Sequence, residues 1–207
     1  MTFKKLVFGA RTTAASRARR GAPIPSPSRP LHSEHVLDGT VKAVRVTDRL
    51  PWRELYEAHA AELASYLLRL TGDREVASDL MQETFVVGMR DESALREPAS
   101  ARAWLYTIAS RLGTKWLRRR RLIAFLPFLD TDRDPQDALD VEAIAVREAL
   151  RAISPDQAVA LVLHYAQGFT RGEIGGLTGR SDEAIKSRIA RGRRAFLAAY
   201  GRRGGRG

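Results

Sequence analysis

Residues 168–194, GFTRGEIGGLTGRSDEAIKSRIARGRR, read as two helices joined by a tight turn, the second carrying a basic outer face. Thr170 and Glu173 have the spacing of a capping box, in which a hydroxyl and a carboxylate satisfy opposite backbone amides at a helix start. Ile174 and Leu177 give the first helix an inward edge. Thr178-Gly179-Arg180 supplies the turn, and Ser181 is a good N-cap. Asp182 and Glu183 then sit in the first turn of the second helix, where negative charge suits the dipole. Residues placed about 100° apart put Ile185, Ile189, Gly192 and Phe196 on one inward stripe. Glu183, Ser187, Ala190, Arg191 and Arg194 face outward, with Lys186, Arg188 and Arg193 on the flanks. A helix-turn-helix lays that outer face in a major groove, so Glu183, Ser187, Ala190 and Arg191 are base-edge candidates. Lys186, Arg188, Arg193 and Arg194 are phosphate candidates. A merely solvated amphipathic helix would carry the same charges, but cap, turn and cationic face together favour duplex DNA.

The rest of the chain fits a polyanionic partner. Its 207 residues suffice for one or two small domains, and the formal charge of +11 with a pI near 10.7 favours nucleic acid or an anionic surface. No apolar run approaches the roughly 20 residues that span a bilayer. The absence of cysteine removes disulfides, thiolate zinc sites and cysteine nucleophiles.

Residues 1–48 lack sustained periodicity and hold Arg11, Arg17, Arg19, Arg20 and the run PIPSPSRP, the composition expected of a disordered basic tail. Leu6-Val7-Phe8 after Lys4-Lys5 is too short for a secretion signal; a start codon assigned too far upstream would look the same. From Leu50 the pattern is helical. Leu55, Tyr56, His59, Leu63, Tyr66, Leu67 and Leu70 form one face; Val76, Ala77, Leu80, Met81, Thr84, Phe85 and Met89 form the next. A third helix opens near Ser100 and runs through Trp104, Leu105, Ile108, Leu112 and Trp116 into Arg118-Arg119-Arg120-Arg121. Residues 122–140 read as a linker whose apolar part, Leu122 to Leu129, either extends the preceding helix or docks on a partner. Residues 141–200 form a second helical domain, with Ser154-Pro155 starting one of its helices, and residues 201–207 are a basic tail. No strand pattern occurs, so the expected class is all-α, two small helical domains joined by a flexible linker.

Two separated segments then resemble one family. DLMQETF at Asp79 to Phe85 and the tryptophan-arginine helix from Ala101 to Arg121 resemble the second conserved region of bacterial RNA polymerase sigma factors of the extracytoplasmic-function group. Ile153-Ser154-Pro155 and the helix-turn-helix resemble the fourth. The resemblance spans about residues 50–200 in the family's order.

It implies a promoter-specificity subunit of core RNA polymerase. Asp79, Gln82, Glu83 and Phe85 would meet the clamp helices of the polymerase largest subunit, although Phe85, like Leu80 and Met81, also suits a core. Residues 49–121 would recognise and melt the minus-ten element, with the loop from Asp91 to Ser100 as a pocket for a flipped base. Arg111, Lys115, Arg118, Arg119, Arg120 and Arg121 would hold phosphates. Trp104 suits the core, while Tyr106 and Trp116 fit either core or stacking platform. The helix-turn-helix would read the minus-thirty-five element. The resemblance further implies an anti-sigma factor as partner, no small-molecule substrate, and a cytoplasmic, nucleoid-associated location, with the anti-sigma factor able to hold the chain at the inner membrane face.

The chain departs from the family pattern at several points. Arg111 and Lys115 stand where Asn and Asp are common, Val87-Gly88-Met89 where Arg-Ala-Trp is usual, and Glu183-Ala184-Ile185 where Gly-Thr-Val is common. Gly175-Gly176 interrupts a helix at a cost of roughly 1 kcal/mol per glycine. No catalytic site, cofactor or metal site is expected, since His59, His164 and Glu173 are scattered along the chain. A recombinase with a similar module would need a nucleophile with supporting arginines upstream. A stand-alone helix-turn-helix regulator would use the same second domain and need no polymerase.

Overall fold

The computed structural model describes residues 50–95, 100–124 and 141–204. The expected basic tail, most of the linker, residues 96–99 and residues 205–207 lie outside them. Among the described residues there are seven α-helices and no strand: α1 (Trp52–Thr71), α2 (Arg74–Arg90), α3 (Ala101–Ala124), α4 (Val141–Ala152), α5 (Pro155–Leu161), α6 (Arg171–Thr178) and α7 (Asp182–Gly204). Helix α3 therefore continues three residues past Arg121, carrying Leu122 with it, and α7 runs four residues past 200.

Helices α1 to α3 form the first bundle. The Asp73 carboxylate caps α2 by accepting the Val76 amide at 3.1 Å. Ala77, Leu80, Met81, Thr84, Phe85 and Gly88 then face inward at helical spacing. Met89, expected on that face, is 48% exposed. Gly88 takes the inward place because the indoles of Trp52 and Trp104 close over it, and an added Cβ would stand 3.0 Å from Trp52. Tyr106 is fully buried in this core, and Trp104 and Trp116 are partly buried against it.

Helices α4 to α7 form the second group. Ser154 and Gln157 make a capping box at the start of α5, and Thr170 and Glu173 make another at α6. Between α5 and α6, Val162–Ala166 widens into a π turn in which the Gln167 amide donates to Val162 O at 3.1 Å. Gly168, at φ +78°, then reverses the chain so that the Phe169 amide donates to Leu163 O, also at 3.1 Å.

The two groups share one continuous buried core. Helix α3 is the common wall, packed on α1 and α2 on one side and on α5 and α6 on the other. The two helical domains pack together through Phe169, which is 4% exposed and points into the first bundle.

Candidate nucleic-acid interface

The helix-turn-helix is built as its sequence suggests. The Thr170 amide donates to the Glu173 carboxylate at 2.7 Å, and the Glu173 amide returns a bond to the Thr170 hydroxyl at 3.3 Å. The Ser181 hydroxyl accepts the Ala184 amide at 3.3 Å and starts α7. Ile185, Ile189, Gly192 and Phe196 are all buried, while Glu183, Lys186, Ser187, Ala190, Arg191, Arg193 and Arg194 are exposed and Arg188 is half-buried. Gly175 is no defect here. An added Cβ would lie 2.6 Å from Arg180 O, so the turn closes onto α6 only over a glycine. Lys186 is tied to Glu183 at 3.3 Å, a one-turn pair on the surface that a phosphate could displace.

The four consecutive arginines of α3, Arg118 to Arg121, do not share one environment. Arg111, Lys115, Arg118 and Arg119 lie on one exposed stripe at helical spacing. Arg118 meets both oxygens of Asp156 on α5 at 3.2 Å. Arg120 turns the other way, its guanidinium 5.3 Å from the Trp116 ring centre and 3.4 Å from Thr71 O. Arg121 donates to Arg151 O, at 3.0 Å, and to Ile153 O, at the end of α4. Arg120 and Arg121, expected as phosphate contacts, are half-buried and bond backbone carbonyls, because consecutive residues are about 100° apart and these two turn toward the protein side. The remaining stripe looks across a cleft of about 480 Å³ at Arg180 and Arg188 of the helix-turn-helix.

On α2, Asp79, Gln82 and Glu83 are exposed, with Val86 and Met89 beside them. Neither Asp79 nor Glu83 has a cationic partner among the described residues, and one turn apart they repel by about 0.2–0.5 kcal/mol. Phe85, which also suited a core, is 4% exposed, with the Tyr56 ring 4.9 Å away. Met89, expected on the inward face from the average helical period, is exposed with Val86 because the two indoles close over Gly88 instead. In the loop after α2, the Glu92 carboxylate accepts from Leu50 N at 2.6 Å and Trp52 Nε1 at 3.2 Å, so its described part is engaged in fastening the start of α1.

At the junction of the two groups, Arg102 Nε donates to Glu62 at 3.1 Å while its guanidinium lies 4.6 Å from the Phe169 ring centre. The Tyr106 hydroxyl donates to Gln167 Oε1 at 2.9 Å, and Tyr66 bonds Ser110 at 2.8 Å. Burial holds both tyrosines protonated by raising their pKa values. Burial lowers the pKa of the nearby His59, with Glu62 opposing and Arg102 reinforcing the shift.

Residues 55–123 match the family model for Sigma-70 region 2 and residues 143–196 the model for Sigma-70 region 4. An ECF RNA polymerase sigma factor, SigL of Mycobacterium tuberculosis, is 30% identical over 144 residues, covering 66% of this chain and 81% of the relative. The chain is an extracytoplasmic-function sigma factor. CarQ of Myxococcus xanthus, an RNA polymerase sigma factor, is likewise 30% identical over 146 residues, covering 68% of this sigma factor and 84% of CarQ. The fold is shared with the sigma factor RpoE of Bartonella quintana, solved with the anti-sigma factor NepR, at a TM-score of 0.56 and 23% identity over 72% of this chain and 95% of that one. The sigma factor accordingly binds core RNA polymerase and directs promoter-specific initiation. None of its described helices is long and apolar enough to cross a membrane.

Proposed function

We propose that the sigma factor divides its work among three faces. The α2 face of Asp79, Gln82 and Glu83, edged by Val86 and Met89, docks on the clamp helices of the polymerase largest subunit. The observation that supports this is a pair of exposed like charges one turn apart with no cation near them, beside exposed apolar side chains; a partner carrying arginines would neutralise the one and cover the other. The α3 stripe of Arg111, Lys115, Arg118 and Arg119 holds the minus-ten strand. Helix α7 enters the minus-thirty-five major groove, with Glu183, Ser187, Ala190 and Arg191 toward base edges and Lys186, Arg188, Arg193 and Arg194 toward phosphates. The sigma factor makes no bonds, works in the cytoplasm, and is restrained by an anti-sigma factor, as the Bartonella protein is seen bound to one.

Run-off transcription with core polymerase on a genomic promoter library tests the whole reading; absence of any promoter-specific transcript would reject it. Glu83→Lys should abolish polymerase co-purification with helical content unchanged. On α7, Lys186→Ala should weaken all promoters alike and lower the salt slope by about 1. Arg191→Ala should instead alter preference at one base position, by about 1–3 kcal/mol.

A further inference from the structure

We propose that the cleft between α3 and the helix-turn-helix is a binding site for a short run of linked phosphates, either inorganic polyphosphate or the polyphosphate of a nucleotide, and that the bound anion competes with DNA. The competition rests on the three-face reading above; the site itself stands on the cleft.

The cleft encloses about 480 Å³, room for one small molecule. Arg111, Lys115 and Arg119 line it from α3 at four-residue steps, and Arg180 and Arg188 line it from the turn and from α7. None of these cations has an acidic partner among the described residues. Asp156 is the one carboxylate in the lining, and both its oxygens are taken by Arg118 at 3.2 Å. Elsewhere the surface pairs such charges, Arg53 with Glu57, Arg171 with Asp182 and Lys186 with Glu183. A concave wall of one sign concentrates the field between its sides, so anions collect there more than on the open surface.

The lining selects the class of anion. All the unpaired cations except Lys115 are arginines, whose planar forks bind phosphate through two parallel bonds. A nucleic-acid strand carries one charge per nucleotide, so the length that fits this volume leaves most of the cations unmatched. An acidic peptide meets the same limit of space, and its backbone amides need partners as well. Linked phosphates carry charge on every group and reach both walls at once. Leu122, 70% exposed among the lining side chains, offers an apolar surface to a nucleobase attached to them. An anion held there neutralises Arg111, Lys115, Arg119 and Arg188, the same side chains assigned to DNA.

Isothermal titration calorimetry of the full chain, at about 0.15 M salt and without magnesium, reads the site with inorganic tripolyphosphate and ATP as probes, against inorganic phosphate and adenosine. Tripolyphosphate and ATP should each bind one per chain, about tenfold or more tighter than inorganic phosphate, and adenosine should not bind. ATP no tighter than tripolyphosphate assigns the inorganic chain; tighter ATP assigns the nucleotide, and Leu122→Ser should then remove the difference. Arg119→Gln and Arg180→Gln, one on each wall, should each weaken tripolyphosphate about tenfold through loss of a charge-assisted pair. Arg90→Gln, exposed at the end of α2 and outside the cleft, removes the same charge and should change binding by less than about twofold. Several anions per chain, an equal loss from all three variants, or a loss confined to Arg119→Gln overturns the site. So does tripolyphosphate that binds no tighter than inorganic phosphate. At constant ionic strength, saturating tripolyphosphate should also weaken wild-type binding to a labelled duplex by about threefold or more; unchanged duplex binding overturns the competition. Transcription by the wild-type chain with core polymerase is read separately: its failure counts against the three-face assignment, whereas absent tripolyphosphate binding with normal transcription counts against the cleft alone.

Discussion

Helices α3 and α7 are the two long cationic helices, yet they stand in opposite relations to the protein. Helix α7 covers one side of its group and leaves a continuous outer face, so its cations are already where a duplex would meet them. Helix α3 is a wall with protein on both sides. Its arginines are divided among an aromatic ring, backbone carbonyls, a carboxylate and a cleft. A charge run at the surface of an edge helix is a binding face; on a shared helix only the part turned from both neighbours is.

The comparison is broken most severely at the base of α7. Phe196 is fully buried, so Phe196→Ala should cost about 3–5 kcal/mol in urea denaturation and remove duplex binding with it. If binding survives unchanged, the face is not preformed by that packing. A sharper test lies within α3 itself. Arg121→Ala should destabilise by about 1–3 kcal/mol, because carbonyls of Arg151 and Ile153 lose their donor, and should leave the salt dependence of DNA binding alone. Arg119→Ala should do the reverse, changing the salt slope by about 1 with stability held within about 0.5 kcal/mol. The same response from both would erase the division proposed for the run.

The smallest effect concerns pH at the α1–α3 junction. The pKa of His59 lies below its ordinary 6.5 in the folded chain, so the unfolded chain takes up the proton first as pH falls. The stability this gives is complete above about pH 6.5 and declines below it, toward the lower folded value. His59→Gln should flatten that part of the stability curve relative to wild type; an unchanged slope between about pH 5 and 7 would show that His59 does not contribute.

How much could be read without coordinates follows from the same contrast. The caps at Thr170, Glu173 and Ser181 and the stripe through Phe196 are local, three or four residues apart, and the structure has them as the periodicity implies. The inward turn of Gly88 in place of Met89 depends on Trp52 and Trp104, remote in sequence, and no local period carries that information. Gly175-Gly176 looked like a weakened helix because propensity tables do not contain the carbonyl of Arg180. The burial of Phe85 under Tyr56 and the diversion of Arg120 and Arg121 likewise depend on which helix lies opposite. Packing of the two groups through Phe169 left no sequence signal beyond one aromatic next to a glycine.

The π turn at Val162–Ala166 sets the phase between α5 and α6 within the second group. Adding or removing one residue there would rotate everything after it by about 100° about the helix axis. The second group's own core would be disturbed by such a change, because Val162, Leu163 and Ala166 are buried in it and α7 packs on both α4 and α5, and Phe169 would no longer face Tyr106 and Arg102. How α6 and α7 mate with α4, α5 and the first bundle is therefore written in the length of a single helical turn. A one-residue indel in that turn, conservative by any substitution score, would alter their mating more than most replacements within either domain.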